Sequence, residues 1–258
     1  MHEITNKIGF ISDMDGVIYH GNKILDGVKD FVQWLQANDK KFVFLTNSSE
    51  RTPHELSMKL ERMGLSIPAR HFYTSAMATA EFLHSQRPGC TAYVIGEAAL
   101  TKALYDHRIY MNDVNPDYVV VGETRTYSFE KIEKAIELVN NGAKLIGTNS
   151  DLTAPSENGI IPATRALISP IEMTTGKSAY YVGKPNPLMM RHALKKLDCH
   201  RVDAAIIGDR MDTDIVAGIE SELDTVLVLS GVSTMDTVSA FPYRPKYILR
   251  DVGELAGI

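Results

Sequence analysis

The strongest constraint on this chain's fold is a set of short apolar runs that break off into polar residues: IGFIS (8–12), KFVFLTN (41–47), HFYTS (71–75), AAIIGD (204–209) and DTVLVLSG (224–231). Runs that are apolar at successive positions, instead of alternate ones, read as strands covered on both faces. Helical patterns separate them. Val28, Phe31, Val32 and Leu35 form a core-facing stripe over 27–38, and Trp34, beside that stripe, belongs with the core. Thr52, Pro53 and Glu55 make a helix start with a capping box; Leu56, Leu60 and Met63 follow as its buried face, and Gly64 fits its end. Residues 76–85 read as another helix. Strands alternating with helices through short connections imply right-handed βαβ units and a parallel sheet. In such sheets the active groups collect beyond the carboxyl ends of the strands.

The middle of the chain carries a second series: strands at TAYVIG (91–96), PDYVVVGE (116–123) and AKLIGTN (143–149), with a helix capped by Ser128 and closed by Gly142 before the last of them. The polar stretch SDLTAPSENG (150–159) reads as a loop able to cover something. The expected organisation is an α/β core formed by residues 1–79 and 179–258, with a second α/β domain inserted at 80–178. The core resumes with AYYVGK (179–184), the turn Pro185-Asn186-Pro187, and a helix bearing Met190, Ala193, Leu194 and Leu197; a short strand at 247–249 ends it. A length of 258 residues suffices for two unequal domains.

Composition narrows the function classes. Hydrophobic residues at 44% and charged residues at 23% are ordinary globular values, and a net charge of −5 lacks the basic stripe of a nucleic-acid binder. Cys90 and Cys199 stand far apart and form no CxxC pair, so thiolate metal chemistry is not expected. The N-terminus MHEITNK has no apolar leader pattern and no run approaches the ~18 apolar residues of a membrane helix. The expectation is a cytoplasmic protein, monomeric or a small homo-oligomer, acting on a small molecule and binding neither membrane nor nucleic acid.

Polar groups end several of the core strands: Asp13 and Asp15, Thr46 and Asn47, Lys184, and Asp209 with Asp214. If the backbone stays extended, Asp13 and Asp15 point the same way, and two such anions coexist only if a cation lies between them or one holds a proton. Singly, most of these groups have plainer explanations. Thr-Asn is common turn chemistry, a loop lysine is a solvated charge, and Asp212 or Thr213 would serve as a helix N-cap. Together at one sheet edge they suit phosphate-ester hydrolysis. Asp13 serves as nucleophile, forming an aspartyl-phosphate. Mg²⁺ is the expected cation, with Asp209 as a further ligand. Lys184 supplies positive charge, Thr46 donates to a phosphoryl oxygen, and Asp15 protonates the leaving alkoxide, help typically worth about 10²–10⁴-fold.

The motifs DMDG (13–16), LTN (45–47), GKP (183–185) and GDRMDTDI (208–215), in this order and each following an apolar strand, resemble those of the haloacid dehalogenase superfamily phosphatases, in the NagD-like, 4-nitrophenylphosphatase-like branch. The resemblance implies a Rossmann-like three-layer core and an inserted α/β cap of the C2 type that closes over the site and selects the substrate. It assigns Asp13 as nucleophile and Asp15 as acid/base. The side chains of Asp13 and Asp209 and the backbone carbonyl of Asp15 become Mg²⁺ ligands, and Asp214 a supporting acid of the metal site. It assigns phosphate binding to Thr46, Asn47 and Lys184. The branch often reads TNPD where this chain has Thr148-Asn149-Ser150-Asp151; Asn149, Asp151 and Arg125 are the candidates for leaving-group contacts.

The resulting expectation is a Mg²⁺-dependent phosphomonoesterase acting on small phosphorylated metabolites, first nucleoside 5′-monophosphates such as UMP, then sugar phosphates or 4-nitrophenyl phosphate. A non-catalytic phosphometabolite-binding regulator on the same scaffold would be expected to have lost one of the four catalytic groups. A phospho-accepting receiver domain is about half this length. Dehalogenase chemistry proper dispenses with the second aspartate, which is present here as Asp15.

Overall fold

The computed structural model describes residues 2–156 and 159–257. The chain forms two compact units, one of Met1–Thr46, Pro53–Tyr73 and Lys184–Ile258, the other of Asn47–Thr52 and Thr74–Gly183.

The first unit is built on a six-stranded sheet in the order Tyr247–Leu249, Asp224–Val228, Ala204–Gly208, Gly9–Ser12, Lys41–Thr46, Phe72–Thr74. The ladders from Tyr247–Leu249 across to Lys41–Thr46 are parallel, as the apolar runs require. From Gly9–Ser12 the chain first adds strands on one side, at 41–46 and 72–74, and later on the other, at 204–208, 224–228 and 247–249. The strand order therefore reverses at Gly9–Ser12, the place where open α/β sheets bind ligands. Helices Val28–Ala37, Pro53–Arg62 and Pro187–Leu197 carry the expected apolar stripes. Phe10, Phe31, Leu35, Phe44 and Leu60 are fully buried in this core. Trp34 packs with them, its ring edge-on to Phe10 at 5.5 Å and stacked on Phe31 at 6.2 Å.

The second unit has its own five-stranded sheet in the order Tyr180–Tyr181, Lys144–Gly147, Tyr118–Val121, Thr91–Ile95, Tyr110–Met111, again parallel throughout. Val119, Val121, Leu138, Val139 and Ile168 are among its buried core residues, and Ser128 caps helix Phe129–Asn140 by accepting from the Lys131 N–H.

Several details depart from the sequence reading. Tyr180 and Tyr181 pair with Ile146 and Gly147 in the second sheet, so the AYYVGK run returns to the first unit only at Lys184. Helix Ser75–Gln86, capped by the Thr74 hydroxyl, packs on Ala98–Asp106 and carries residues 74–79 into the second unit. The 150–159 stretch, expected as a loop, contains the strand Thr153–Ser156, which pairs antiparallel with Gly159–Pro162; positions 157 and 158 of that stretch lie outside the described residues. Helix Thr164–Thr175 completes the second unit. Among the described residues no helix is long and apolar enough to cross a membrane.

Candidate active site

The first site element begins where Gly9–Ser12 ends. The N–H of Asp13 still donates to the Ile207 carbonyl at 2.8 Å, so the Asp13 side chain emerges beside the neighbouring strand Ala204–Gly208. The chain then closes a tight turn in which the N–H groups of Val17, Ile18 and Tyr19 converge on the Met14 carbonyl. Gly16 has a left-handed backbone (φ +77°), and a β-carbon there would lie 2.3 Å from Asp209 Oδ2. Both facts require glycine, the first by conformation and the second by space.

Lys184, opening the last part of the first unit, supplies the central cation. Its Nζ donates to Asp13 Oδ1 at 2.6 Å and to Asp214 Oδ1 at 2.7 Å, and its side chain is 3% exposed. Burial alone would favour the neutral amine; the two carboxylates outweigh that and hold Lys184 above the ordinary lysine range. Asp214 sits on a single π-helical turn, Met211–Ile215, that follows Ala204–Gly208, and its Oδ2 accepts from the Arg210 N–H at 3.1 Å. Both of its oxygens are thus engaged. Such wide turns recur at functional sites. Asp212, weighed as a helix cap, instead pairs with the Arg210 guanidinium at 2.8 Å.

Asp209 is the third carboxylate. One oxygen each of Asp13, Asp209 and Asp214 lie within 4.8 Å of one another. Asp209 Oδ2 accepts from the Val232 N–H at 2.7 Å, whereas Oδ1 is buried with no hydrogen-bond partner among the described residues. Burial first, and then the charges of Asp13 and Asp214, raise the Asp209 carboxyl to about 8. Burial, together with the charge of Asp13 and against the pull of Lys184, raises Asp214 to about 6. Asp13 is raised too, chiefly by burial and against Lys184. An orphaned carboxylate oxygen among crowded anions is the donor set of a hard divalent cation, and these residues fit Mg²⁺.

A pH dependence follows for the metal-free protein. A carboxyl that holds its proton more tightly folded than unfolded stabilises the fold below its unfolded pKa, near 4, and that contribution disappears as pH rises through the folded value. With Asp214 at about 6 and Asp209 at about 8, thermal stability in EDTA is expected to fall between about pH 4 and pH 8. Mg²⁺ should raise the melting temperature more at pH 8 than at pH 5. Thermal melts at both pH values, with and without Mg²⁺, check this; a metal-induced shift that shrinks with rising pH would contradict it.

Thr46, the last residue of its strand, is buried in the first unit. Asp15 follows Asp13 in the tight turn, with an isolated backbone bridge to Tyr19, and its charge adds to the upward pressure on Asp13.

The second unit assembles a separate polar cluster. Asn47 Nδ2 donates to Asp151 Oδ2 at 2.9 Å. Asn149 is fully buried; its Nδ2 donates to the Asn47 carbonyl at 2.8 Å and to Glu123 Oε1 at 2.6 Å, while its Oδ1 accepts from the Asp151 N–H. Glu123 Oε2 accepts from both the N–H and the hydroxyl of Ser49. Loss of solvent raises the Glu123 carboxyl against these donors. Arg125 stands apart on an exposed turn, its N–H donating to Glu97 Oε1 at 2.9 Å.

Glu123 and Ser49 are the members of this cluster that the sequence reading did not single out. The available signal is an acid two residues beyond the end of the strand Tyr118–Val121, close to where Asn149 follows the strand Lys144–Gly147. Replacing Glu123 by Ala leaves the Ser49 N–H and one of the two Asn149 amide donors without their acceptor and is expected to cost about 1–3 kcal/mol. Denaturant unfolding measures it; unchanged stability would contradict the bracing role.

Comparison with known proteins shows the family. Residues 10–109 match the family described as haloacid dehalogenase-like hydrolase, and residues 181–255 the one described as HAD-hydrolase-like. Dihydroxyacetone phosphatase of Corynebacterium glutamicum is 46% identical over 253 residues, covering 98% of this chain and 92% of that one. Ribonucleotide monophosphatase NagD of Escherichia coli is 42% identical over 245 residues, covering 95% and 96%. The crystal structure of 4-nitrophenylphosphatase from Thermotoga maritima superposes with a TM-score of 0.96 at 31% identity, covering 100% of this chain and 99% of that one. With the motif aspartates and Lys184 gathered at the switch point of a parallel sheet, and likeness along nearly its whole length, the chain belongs to the haloacid dehalogenase-like hydrolases, as a phosphatase of the NagD and 4-nitrophenylphosphatase kind.

Proposed function

We propose that this protein is a Mg²⁺-dependent phosphomonoesterase that works through an aspartyl-phosphate on Asp13. The observation that carries the reading is the buried Lys184 bridging Asp13 and Asp214, next to Asp209, whose buried Oδ1 has no hydrogen-bond partner among the described residues. Asp13 and Asp209, with the Asp15 carbonyl, would hold the cation, which when bound neutralises the anionic charge between nucleophile and phosphate. Asp214 has both oxygens committed, to Lys184 and to the Arg210 N–H, which supports a positioning role for it.

In the first half-reaction an Asp13 carboxylate oxygen forms a bond to phosphorus, the ester P–O bond breaks, and Asp15 passes its proton to the departing alkoxide. In the second, water attacks phosphorus and gives a proton to Asp15; the Asp13–phosphorus bond breaks, releasing inorganic phosphate. Lys184 keeps Asp13 ionised and aimed, and Thr46 with Asn47, the next residue in the chain, donates to the phosphoryl oxygens. Asn149 has its amide fully committed, which supports assigning it to bracing Asn47. Asp151 and Arg125 remain the proposed leaving-group residues.

The proposed substrates are small phosphate monoesters, nucleoside 5′-monophosphates such as UMP first. Relatives named for a ribonucleotide and for a triose phosphate support the size range. A phosphate-release panel of nucleoside monophosphates, triose and hexose phosphates and 4-nitrophenyl phosphate, run with Mg²⁺ and with EDTA, tests the reading. Release that needs Mg²⁺ is expected. Release indifferent to EDTA would exclude the cation, and binding without release would mark a regulator. A clear preference for triose or sugar phosphates would displace the nucleotide assignment.

A further inference from the structure

We infer that the segment Ser230–Ser233 is a strap that fixes Asp209 and the Asp13–Gly16 loop relative to each other, with Ser230 as its positioning residue. The inference rests on the divalent-cation reading given above. The segment leaves the strand Asp224–Val228, where the Leu229 N–H donates to the Leu249 carbonyl at 2.9 Å. It ends at Thr234, which opens helix Met235–Ala240 with a capping box to Thr237. Between these anchors it touches both halves of the site. The Ser230 hydroxyl donates to the Gly16 carbonyl at 2.7 Å, one peptide beyond the Asp15 carbonyl. The Val232 N–H donates to Asp209 Oδ2 at 2.7 Å, and the Ser233 N–H to the Asp209 carbonyl at 3.1 Å.

Gly231 makes the approach possible, since a β-carbon there would lie 2.0 Å from Asp209 Oδ2, and one on Gly16 would lie 3.0 Å from the Gly231 α-carbon. The strap is not held by apolar burial: Gly231 is exposed and the Val232 side chain is 66% exposed. Its place therefore depends on these hydrogen bonds. By occupying Asp209 Oδ2 it leaves the buried Oδ1 as the oxygen available to a cation, and through Ser230 it sets the turn that presents Asp13 and the Asp15 carbonyl. Outer partners of this kind typically change metal affinity by about 10–100-fold when removed.

The test is calorimetric titration of Mg²⁺ into the full chain and its Ser230→Ala and Ser230→Thr variants, alongside melts of the metal-free proteins. Ser230→Ala is expected to bind Mg²⁺ about tenfold more weakly, with a nearly unchanged metal-free melting temperature and a kcat that recovers at saturating Mg²⁺. Ser230→Thr, which keeps the hydroxyl, should stay close to the parent. Should Ser230→Ala misfold, Ser230→Thr still decides, because parent-like folding with parent-like affinity supports the hydroxyl's role and weakened affinity overturns it. Parent-like Mg²⁺ affinity in a folded Ser230→Ala, or a loss of stability with no loss of affinity, overturns the strap. A parent chain that takes up no Mg²⁺ overturns the underlying cation reading and the strap with it, a result distinguishable from the other two.

Discussion

Replacing Asp13 by Asn is expected to abolish turnover, by at least about 10⁴-fold in kcat, while leaving the fold intact. An amide has the shape of the carboxylate but not its nucleophilicity, so no covalent phosphoryl-enzyme forms. The fold should tolerate the change because the substitution removes one of three crowded buried anions and leaves Lys184 paired with Asp214. The loss of a like charge also relieves Asp209, whose carboxyl is raised by burial and then by Asp13, so the metal-free variant should lose less stability than the parent as pH rises. Phosphate release gives the first readout and thermal melts across pH the second. Substantial turnover by a folded Asp13→Asn protein would remove Asp13 from the role of nucleophile.

Lys184→Met should act on stability and activity together. Lys184 bridges two carboxylates whose side chains are 12% and 0% exposed, and no other lysine or arginine is seen paired to either among the described residues. Removing one partner from a buried ionic group typically costs about 3–5 kcal/mol, because the remaining charges stay buried without compensation. Methionine fills much of the same volume, so the loss reports charge more than packing. Stability should recover in part at low pH, where Asp13 and Asp214 take up protons, since both hold them more tightly than an ordinary aspartate. Activity should fall by about 10²–10³-fold even with saturating Mg²⁺, because a positioned positive charge is lost from the reacting phosphate. Denaturant unfolding at pH 5 and pH 8, with kinetics at saturating Mg²⁺, measures both. A Lys184→Met chain as stable as the parent at pH 8 would contradict the bridge.

The parts legible in the sequence were those under the tightest physical constraint. Strands covered on both faces must be apolar at successive positions, which made Gly9–Ser12, Lys41–Thr46, Ala204–Gly208 and Asp224–Val228 readable and, with them, the parallel sheet. Polar groups at the ends of such strands share one edge, which makes Asp13, Asp209 and Asp214 legible as a group; Lys184 joins them although the strand before it, Tyr180–Tyr181, belongs to the other sheet. The hairpin at Thr153–Ser156 and Gly159–Pro162 reads as a loop because no position of either strand is buried, so no apolar pattern marks it. Helix Ala98–Asp106 has alanine at two of its four buried positions, Ala99 and Ala103, and alanine gives little hydropathy contrast. Helix Thr164–Thr175 contains Pro170, which breaks the sequence signal without ending the helix. The apolar run at 179–183 continues without a break, so nothing in the sequence separates Tyr180–Tyr181, which pair in the second sheet, from the core that resumes at Lys184. Glu123 and Ser230 are not legible in the sequence because each acts on a partner far away in it, Ser49 and Asn149 in one case and Gly16 in the other. Spacing does not encode such pairs.

The central claim is a covalent double displacement at Asp13, and the stereochemistry at phosphorus tests it most directly. A phosphorothioate ester made chiral at phosphorus by sulfur and two oxygen isotopes, hydrolysed by the protein with Mg²⁺ in water carrying the third oxygen isotope, should give inorganic thiophosphate with retained configuration, the sum of two in-line inversions. Inversion would mean that water attacks the ester directly, and would contradict the account.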